Sequence, residues 1–338
     1  KESSAASDVY KRQTMHKIRH VVTAALSAAL LMATGCSGGP EAKKDADGNV
    51  ELTIQHITTS DSVPLYLGIE QGFFADEGLN VKVEIAESGS AIIPSVINGE
   101  SPIGYANVIS DLAAIDEGLD VRFVVNCCGT GTDVEQDTSN IFVLEDSKIQ
   151  GPEDLPGKRI AVNSLKNLGD VTIPVALQKK GIDPKGIEWV PMNYSDMGAA
   201  LERGDVDAIW QVDPFRTLAL DAGYRPILSN FVEAIPDTTL GYYITSGKFA
   251  EANPEVLQKF QRAMSKANEY ATEHPDEFRK LAVEKIKLDP AVADKINIAV
   301  FKPGLDVESL KTMGAHAKEF GIIKEEPNYD EHVIQPEG

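Results

Sequence analysis

Residues 52–83 read LTIQHITTSDSVPLYLGIEQGFFADEGLNVKV, and this stretch decides the fold. Residues 52–57 have the composition of a strand. Thr58, Thr59, Ser60 and Ser62 flank Asp61 in a hydroxyl-rich turn, because such side chains compete with regular backbone bonding and favour turns and helix N-caps. Leu65, Ile69 and Phe73 then recur at helical spacing, while Leu79, Val81, Val83 and Ile85 alternate as in a half-buried strand. Strand, turn, helix and parallel strand make a βαβ unit. Sheets built from such units bind ligands beyond the carboxyl ends of their strands, here the turn 58–62.

The same rhythm continues. Ser88 and Ser90 precede an apolar helix that Asn98-Gly99 closes, residues 102–106 are a short buried strand, and Asn107 precedes a helix over 110–117. Residues 121–125 are a strand running into Asn126-Cys127-Cys128-Gly129-Thr130-Gly131-Thr132, which reads as a loop. After the extended run 140–144 the pattern restarts: strand 160–162, Asn163 at its end, helix 171–180, strand 187–191, Tyr194-Ser195 before a helix, and strand 206–210 ending in Trp210. Asp213-Pro214 opens a further helix, with Asp at the cap and Pro at the first position. A strand at 240–245 precedes a long amphipathic helix from Pro254 to Glu273.

Several segments carry a family resemblance. PLYLGIEQGFFADEGLNVKV (64–83), GPEDLPGKRIAV (151–162) and WQVDPF (210–215) resemble, in this order, the solute-binding proteins of ABC importers for sulfonate, taurine, nitrate and thiamine pyrimidines. The likeness covers residues 52 to the C-terminus. It implies a two-lobed α/β clamshell of mixed, mostly parallel sheets with helices on both faces. Residues 51–140 with 241–338 would form one lobe and 141–240 the other, with extended crossings near Asn140 and Leu240. It further implies no catalysis and no cofactor, a small solute between the lobes, a permease partner in the membrane, and a monomer.

The strand-end loops supply the expected ligand contacts: Thr59, Ser60, Ser88, Ser90, Asn107, Cys128, Asn163, Tyr194, Trp210 and Asp213, with Tyr66 as a further pocket wall. Two ligand classes remain open. Hydroxyl-rich helix starts suit a sulfonate, taurine or nitrate oxyanion, because unsatisfied N–H groups and the helix dipole favour negative charge. Trp210 and the tyrosines suit a thiamine-pyrimidine precursor or another small aromatic. Each Ser or Thr is equally explained as an ordinary cap, Trp210 as core, and Asp213 as the start of its helix. The thiamine-pyrimidine synthases are the enzyme alternative; they use a cysteine-rich motif, and residues 51–338 hold only Cys127 and Cys128. That pair either closes a bridge between neighbours or stays as two buried thiols, and His56 is the base that a nucleophilic role would need.

Composition sets the outer limits. A formal net charge of −20 opposes nucleic acid as a partner, since phosphates would be repelled. Three cysteines have no spacing suited to a metal. SDVYKRQ (7–13) resembles translated adapter sequence, so residues 1–14 are expected to be a non-native leader. From Met15 a basic segment, an apolar run and ATGC (33–36) resemble a lipoprotein signal peptide, which implies lipid on Cys36, export, and a place on the outer face of the membrane. Residues 37–50 then form a flexible tether.

Overall fold

The computed structural model describes residues 41–86 and 88–336. The expectations about the leader, the signal peptide and Cys36 lie outside the described residues. The described residues contain ten strands: β1 (Val50–Ile57), β2 (Leu79–Ala86), β3 (Ile103–Asn107), β4 (Val121–Gly129), β5 (Ser139–Val143), β6 (Arg159–Val162), β7 (Glu188–Pro191), β8 (Ala208–Val212), β9 (Arg225–Leu228) and β10 (Thr239–Ser246). They form two five-stranded sheets, ordered β2-β1-β3-β10-β4 and β7-β6-β8-β5-β9.

The opening βαβ unit is present: β1 and β2 pair in parallel from Val50 opposite Leu79 to Ile57 opposite Ala86. Its helix is interrupted. Val63–Glu70 is helical, Gly72 turns the chain at φ +78°, and Phe73–Asp76 is a separate turn of helix. Glycine takes that left-handed conformation without the Cβ clash other residues meet. Because β2 is an edge strand, its alternation fades outward, and Ile85 is 54% exposed where half-burial was expected.

Both sheets share one plan. Parallel pairs β1–β2 and β1–β3 match β6–β7 and β6–β8, and each sheet takes one antiparallel strand beside its third parallel member. That strand is β10 in the first sheet, between β3 and β4, and β5 in the second, between β8 and β9. Each follows directly on a strand of the other sheet, so the segments 130–138 and 229–238 cross between lobes. The crossings bind each other: Thr130 N donates to Thr238 O at 2.8 Å, Asp237 N to Gly131 O at 2.9 Å, and Thr130 Oγ1 to Ile235 O at 2.9 Å.

The core of the first lobe packs Leu52, Ile54, Phe74, Ile92 and Val125 against the helices Pro254–Glu273 and Pro275–Lys285 through Phe260, Met264 and Phe278. A second cluster runs from Val108, Leu112 and Tyr242 of that lobe through Leu310 and Met313 to Ile160, Val162 and Trp210 of the other. Shared apolar contact thus accompanies the two crossings. Residues 41–50 depart from the tether reading: Ala42 N bonds Asn253 Oδ1 at 2.8 Å, Glu51 N bonds Lys43 O at 2.8 Å, and Lys44 bridges to Val50.

Candidate functional site

The strand ends of both lobes meet around one cavity. Thr59, Ser60 and Asp61 follow β1, Asn107 ends β3, and Cys128 and Gly129 end β4. From the other lobe come Asn163 after β6, Tyr194 after β7, and Trp210 and Asp213 at the end of β8. Of the expected ligand contacts, Thr59, Ser60, Asn107, Cys128, Asn163, Tyr194, Trp210 and Asp213 line this cavity. The space is only about 40 Å³, room for a few waters, and it is continued outward past Thr59 and Tyr194 by a wider recess of about 270 Å³. A ring-bearing solute therefore needs the lobes to part and close again, the hinge motion that two crossings permit.

Three expected contacts fall elsewhere. Tyr66 is half-buried on the outer part of its helix, packed on the first-lobe core, because it stands one position round from the buried Leu65 and Leu67. Ser88 caps its helix by accepting from Ala91 N at 3.3 Å, and its hydroxyl bonds that of Ser90 at 3.0 Å, both outside the cavity. It is Gly89 between them that faces inward.

Several polar groups that do line the cavity are already engaged. Asn107 caps its helix, accepting from Ser110 N at 3.1 Å and donating to Ser110 Oγ at 3.1 Å. Asp213 Oδ1 accepts from Thr217 N and Oγ1 at 3.1 and 2.6 Å, and Oδ2 accepts from Asn297 N at 3.1 Å. Burial pushes the Asp213 carboxyl up to about 6 against these bonds. The Asp213 carbonyl takes Ser60 Oγ at 3.3 Å, so this residue ties the lobes together. Trp210 is 1% exposed and donates Nε1–H to Ser139 Oγ at 2.7 Å. It is a fixed wall, set edge-on to Tyr194 (5.8 Å) and Phe231 (5.9 Å), with Tyr194 stacked on Phe215 at 5.4 Å.

Two acceptors are left for a ligand. Among the described residues, the Asp61 carboxylate receives one oxygen or nitrogen donor, the Thr59 hydroxyl at a long 3.4 Å. Desolvation pushes it up to about 6, with the charge of Asp213 adding to the effect and hydrogen bonds from Thr59 and Cys128 opposing it. Asn163 Oδ1 is buried without a partner. Asp61 and Asp213 alone among the lining residues carry formal charge, and both are acidic. Asp61 was read in the sequence as a turn former. Its position four residues past the end of β1, within the hydroxyl-rich turn, was the signal that it also faces the cavity. Phe231 and Ala299 come from segments with no strand-end pattern and had no such signal.

Beneath the cavity lies a second cluster. His56 stacks on Tyr105 at 4.3 Å and stands edge-on to Tyr243, and its Nε2 is 3.7 Å from Cys127 Sγ. Burial pushes His56 down to about 4 and raises Cys127, while the hydrogen bond with Cys127 and then burial raise Cys128, so imidazole and thiols are neutral near pH 7. A neutral, desolvated thiol beside a weak base is a poor nucleophile. Cys127 and Cys128 are free and buried, and they belong to β4 itself, not to the loop expected there. Among the described residues no group of three or more His, Cys, Asp or Glu is placed to hold a metal ion.

Two α/β sheets of one plan, crossed twice and closed on a shared cavity, define the periplasmic binding protein fold. The alkanesulfonate-binding protein SsuA of Xanthomonas axonopodis pv. citri, solved with MOPS bound, superposes with a TM-score of 0.69 at 21% identity, over 86% of this chain and 99% of that one. The chain belongs to the NMT1/THI5-like family, whose profile spans residues 59–278. It is 22% identical to the formylaminopyrimidine-binding protein of Halalkalibacterium halodurans over 255 residues, 75% of each chain. It is 25% identical to the 4-amino-5-hydroxymethyl-2-methylpyrimidine phosphate synthase of Aspergillus parasiticus over 308 residues, 84% of this chain and 86% of that one. Binding proteins and a synthase thus stand at similar distance.

Proposed function

We propose that this protein is the solute receptor of an ABC importer and that its cleft takes a small, flat, amino-bearing heteroaromatic. The observation that carries the ligand class is the pair of unspent acceptors, Asp61 and Asn163 Oδ1, beside the wall of Trp210, Tyr194 and Phe231. Acceptors call for N–H donors on the ligand, and aromatic edges and faces favour a ring. A bare sulfonate or nitrate would meet two carboxyls and no cationic side chain. The formylaminopyrimidine-binding relative supports the same reading. Against an enzyme of the synthase type stands the inert state of the His56–Cys127 pair.

In this reading residues 51–140 with 241–338 and residues 141–240 close on the solute, and a membrane permease engages the closed, monomeric form. Export and lipid on Cys36 would hold the receptor at the outer face of the membrane, resting on the sequence of residues 15–36. Loss of membrane retention in Cys36→Ala is the expected sign of that anchor.

The ligand class is tested by titration calorimetry with 4-amino-2-methylpyrimidines, taurine, an alkanesulfonate and nitrate. The aminopyrimidines should bind, and Asp61→Asn should weaken them about ten- to a hundredfold, as for loss of a hydrogen bond to a charged group. Affinity should rise between pH 5 and 7 as Asp61 ionises through about 6. Tight binding of a sulfonate or nitrate that Asp61→Asn leaves unchanged would sink the assignment.

A further inference from the structure

We propose that Cys127 and Cys128 are a reversible oxidation site in the cavity wall, closed to a bridge between neighbouring residues by disulfide exchange. The argument starts from strand geometry. In a regular strand successive side chains point to opposite faces, which keeps neighbouring thiols apart. Here Asn126 pairs with Tyr242 and Cys128 with Gly241, so Cys127 is the extra residue of a β-bulge. Bulges re-aim side chains, and here Cys127 supports the turn that follows β1. Cys127 Sγ donates to Asp61 O at 3.6 Å and stands 3.7 Å from His56 Nε2. Cys128 Sγ is 3.8 Å from the Tyr105 hydroxyl.

Two further features fit the site to this chemistry. Cys128 lines the cavity, so a small reagent that enters the cleft meets its sulfur. Opposite it Gly241 has no side chain, and a Cβ there would lie 3.0 Å from Cys128 Sγ, so the glycine leaves the sulfur its place. Among the described residues these are the only two cysteines, which leaves each the other as its partner within this part of the chain.

The oxidant is a small aliphatic disulfide. Cys128 loses its proton to solvent, and the small thiolate fraction so formed attacks one of the sulfurs, forming a mixed disulfide and releasing one small thiol. The raised thiol pKa keeps that fraction low, so the exchange is slow. Cys127, losing its proton to solvent, then displaces the second small thiol and forms the Cys127–Cys128 bond. Two electrons pass from the pair to the external disulfide, whose two sulfurs leave as thiols. Adjacent Cα atoms lie about 3.8 Å apart, below the usual span of bridged cysteines, so the ring is strained and easily reduced again. Closing it draws Cys127 Sγ away from His56 and from the Asp61 carbonyl, and removes the Cys128 S–H from beside the Tyr105 hydroxyl. The turn bearing Thr59, Ser60 and Asp61 thereby loses its support from below.

The test uses the full chain and cystamine as the disulfide, so it does not depend on which solute the cleft takes. After exposure, the protein is denatured, alkylated and digested, and the peptide that holds Cys127 and Cys128 is weighed, so that Cys36 does not contribute. The expected product has lost about 2 Da, resists alkylation at Cys127 and Cys128, and recovers both sites after reduction. Cys127→Ser and Cys128→Ser should each give no bridge. Two alkylated thiols after exposure, or a stable cysteamine adduct in place of the bridge, would overturn the proposal. In a Trp189→Phe background the emission of Trp210 reports the cavity wall. It should shift on oxidation and return on reduction, and a bridge that leaves emission and melting temperature unchanged would disprove the coupling to the cavity.

Discussion

His56 is wholly buried between Tyr105, Tyr243 and Cys127, and its pKa falls to about 4 because the charged imidazolium is desolvated there. A folded-state pKa below the unfolded value near 6.5 favours the neutral ring. Its contribution to stability is therefore full above pH 6.5 and is lost as pH falls through about 4. Asp61 and Asp213, both raised to about 6, act the other way: their contribution is full below pH 3.8 and is lost as pH rises through 6. The difference between wild type and His56→Gln isolates the histidine. Urea unfolding at pH 7 and pH 4.5 should show wild type losing about 2–3 kcal/mol relative to the variant on acidification. Equal pH slopes would mean that His56 is not held neutral. The sequence offered His56 as a base within reach of the cysteines, but its burial, and hence its neutral state, were not legible there.

At the scale of elements, the two crossings depend on a close approach at Gly129. A Cβ at this position would stand 2.5 Å from Thr238 O and 3.0 Å from Thr239 Cα, both backbone atoms where the second crossing enters β10. Backbone cannot swing aside as a side-chain tip does, so Gly129→Ala should cost about 1–3 kcal/mol in chemical unfolding and weaken the Thr130–Thr238 bonds that join the crossings. An unperturbed variant would show that the crossings have slack. The sequence marked this region as glycine- and threonine-rich. It placed the strand end at Val125, whereas pairing with β10 carries β4 on to Gly129. Cross-strand partners far along the chain decide where a strand stops, and period-two patterning does not contain them. The edge strand β9 was missed for the same reason: Arg225–Leu228 is four residues with a proline, and only its partner β5 makes it a strand.

For the whole molecule, closure rests on a few contacts across the cleft. Ser110 Oγ donates to Lys166 O at 3.1 Å, Ser60 Oγ to Asp213 O at 3.3 Å, and Asn297 N to Asp213 Oδ2 at 3.1 Å. The Lys166–Glu117 ion pair also spans the lobes, yet both side chains are exposed and such pairs contribute little. Small-angle scattering of the solute-free protein should therefore report a larger radius for Ser110→Ala, whose lost bond of about 1 kcal/mol shifts the open-to-closed ratio roughly fivefold. Glu117→Gln should leave the radius unchanged. The reverse ranking would place closure in surface charge.

What the sequence determined by itself was the repeated strand–turn–helix rhythm, hence the α/β class, and the turns at strand ends as the ligand-facing parts. Those properties are local: hydrophobic period, caps and turn residues are written within a few positions of where they act. Tertiary structure decided the rest. It spent Asp213 Oδ2 on Asn297 N and left Asp61 and Asn163 with spare acceptors, whereas the caps at Asn107, Ser88 and Asp213 Oδ1 are local and the sequence already carried them. It also brought Cys127 to His56 across 71 positions of chain. Whether a polar group outside such caps is free depends on partners far along the chain, and only packing assigns them.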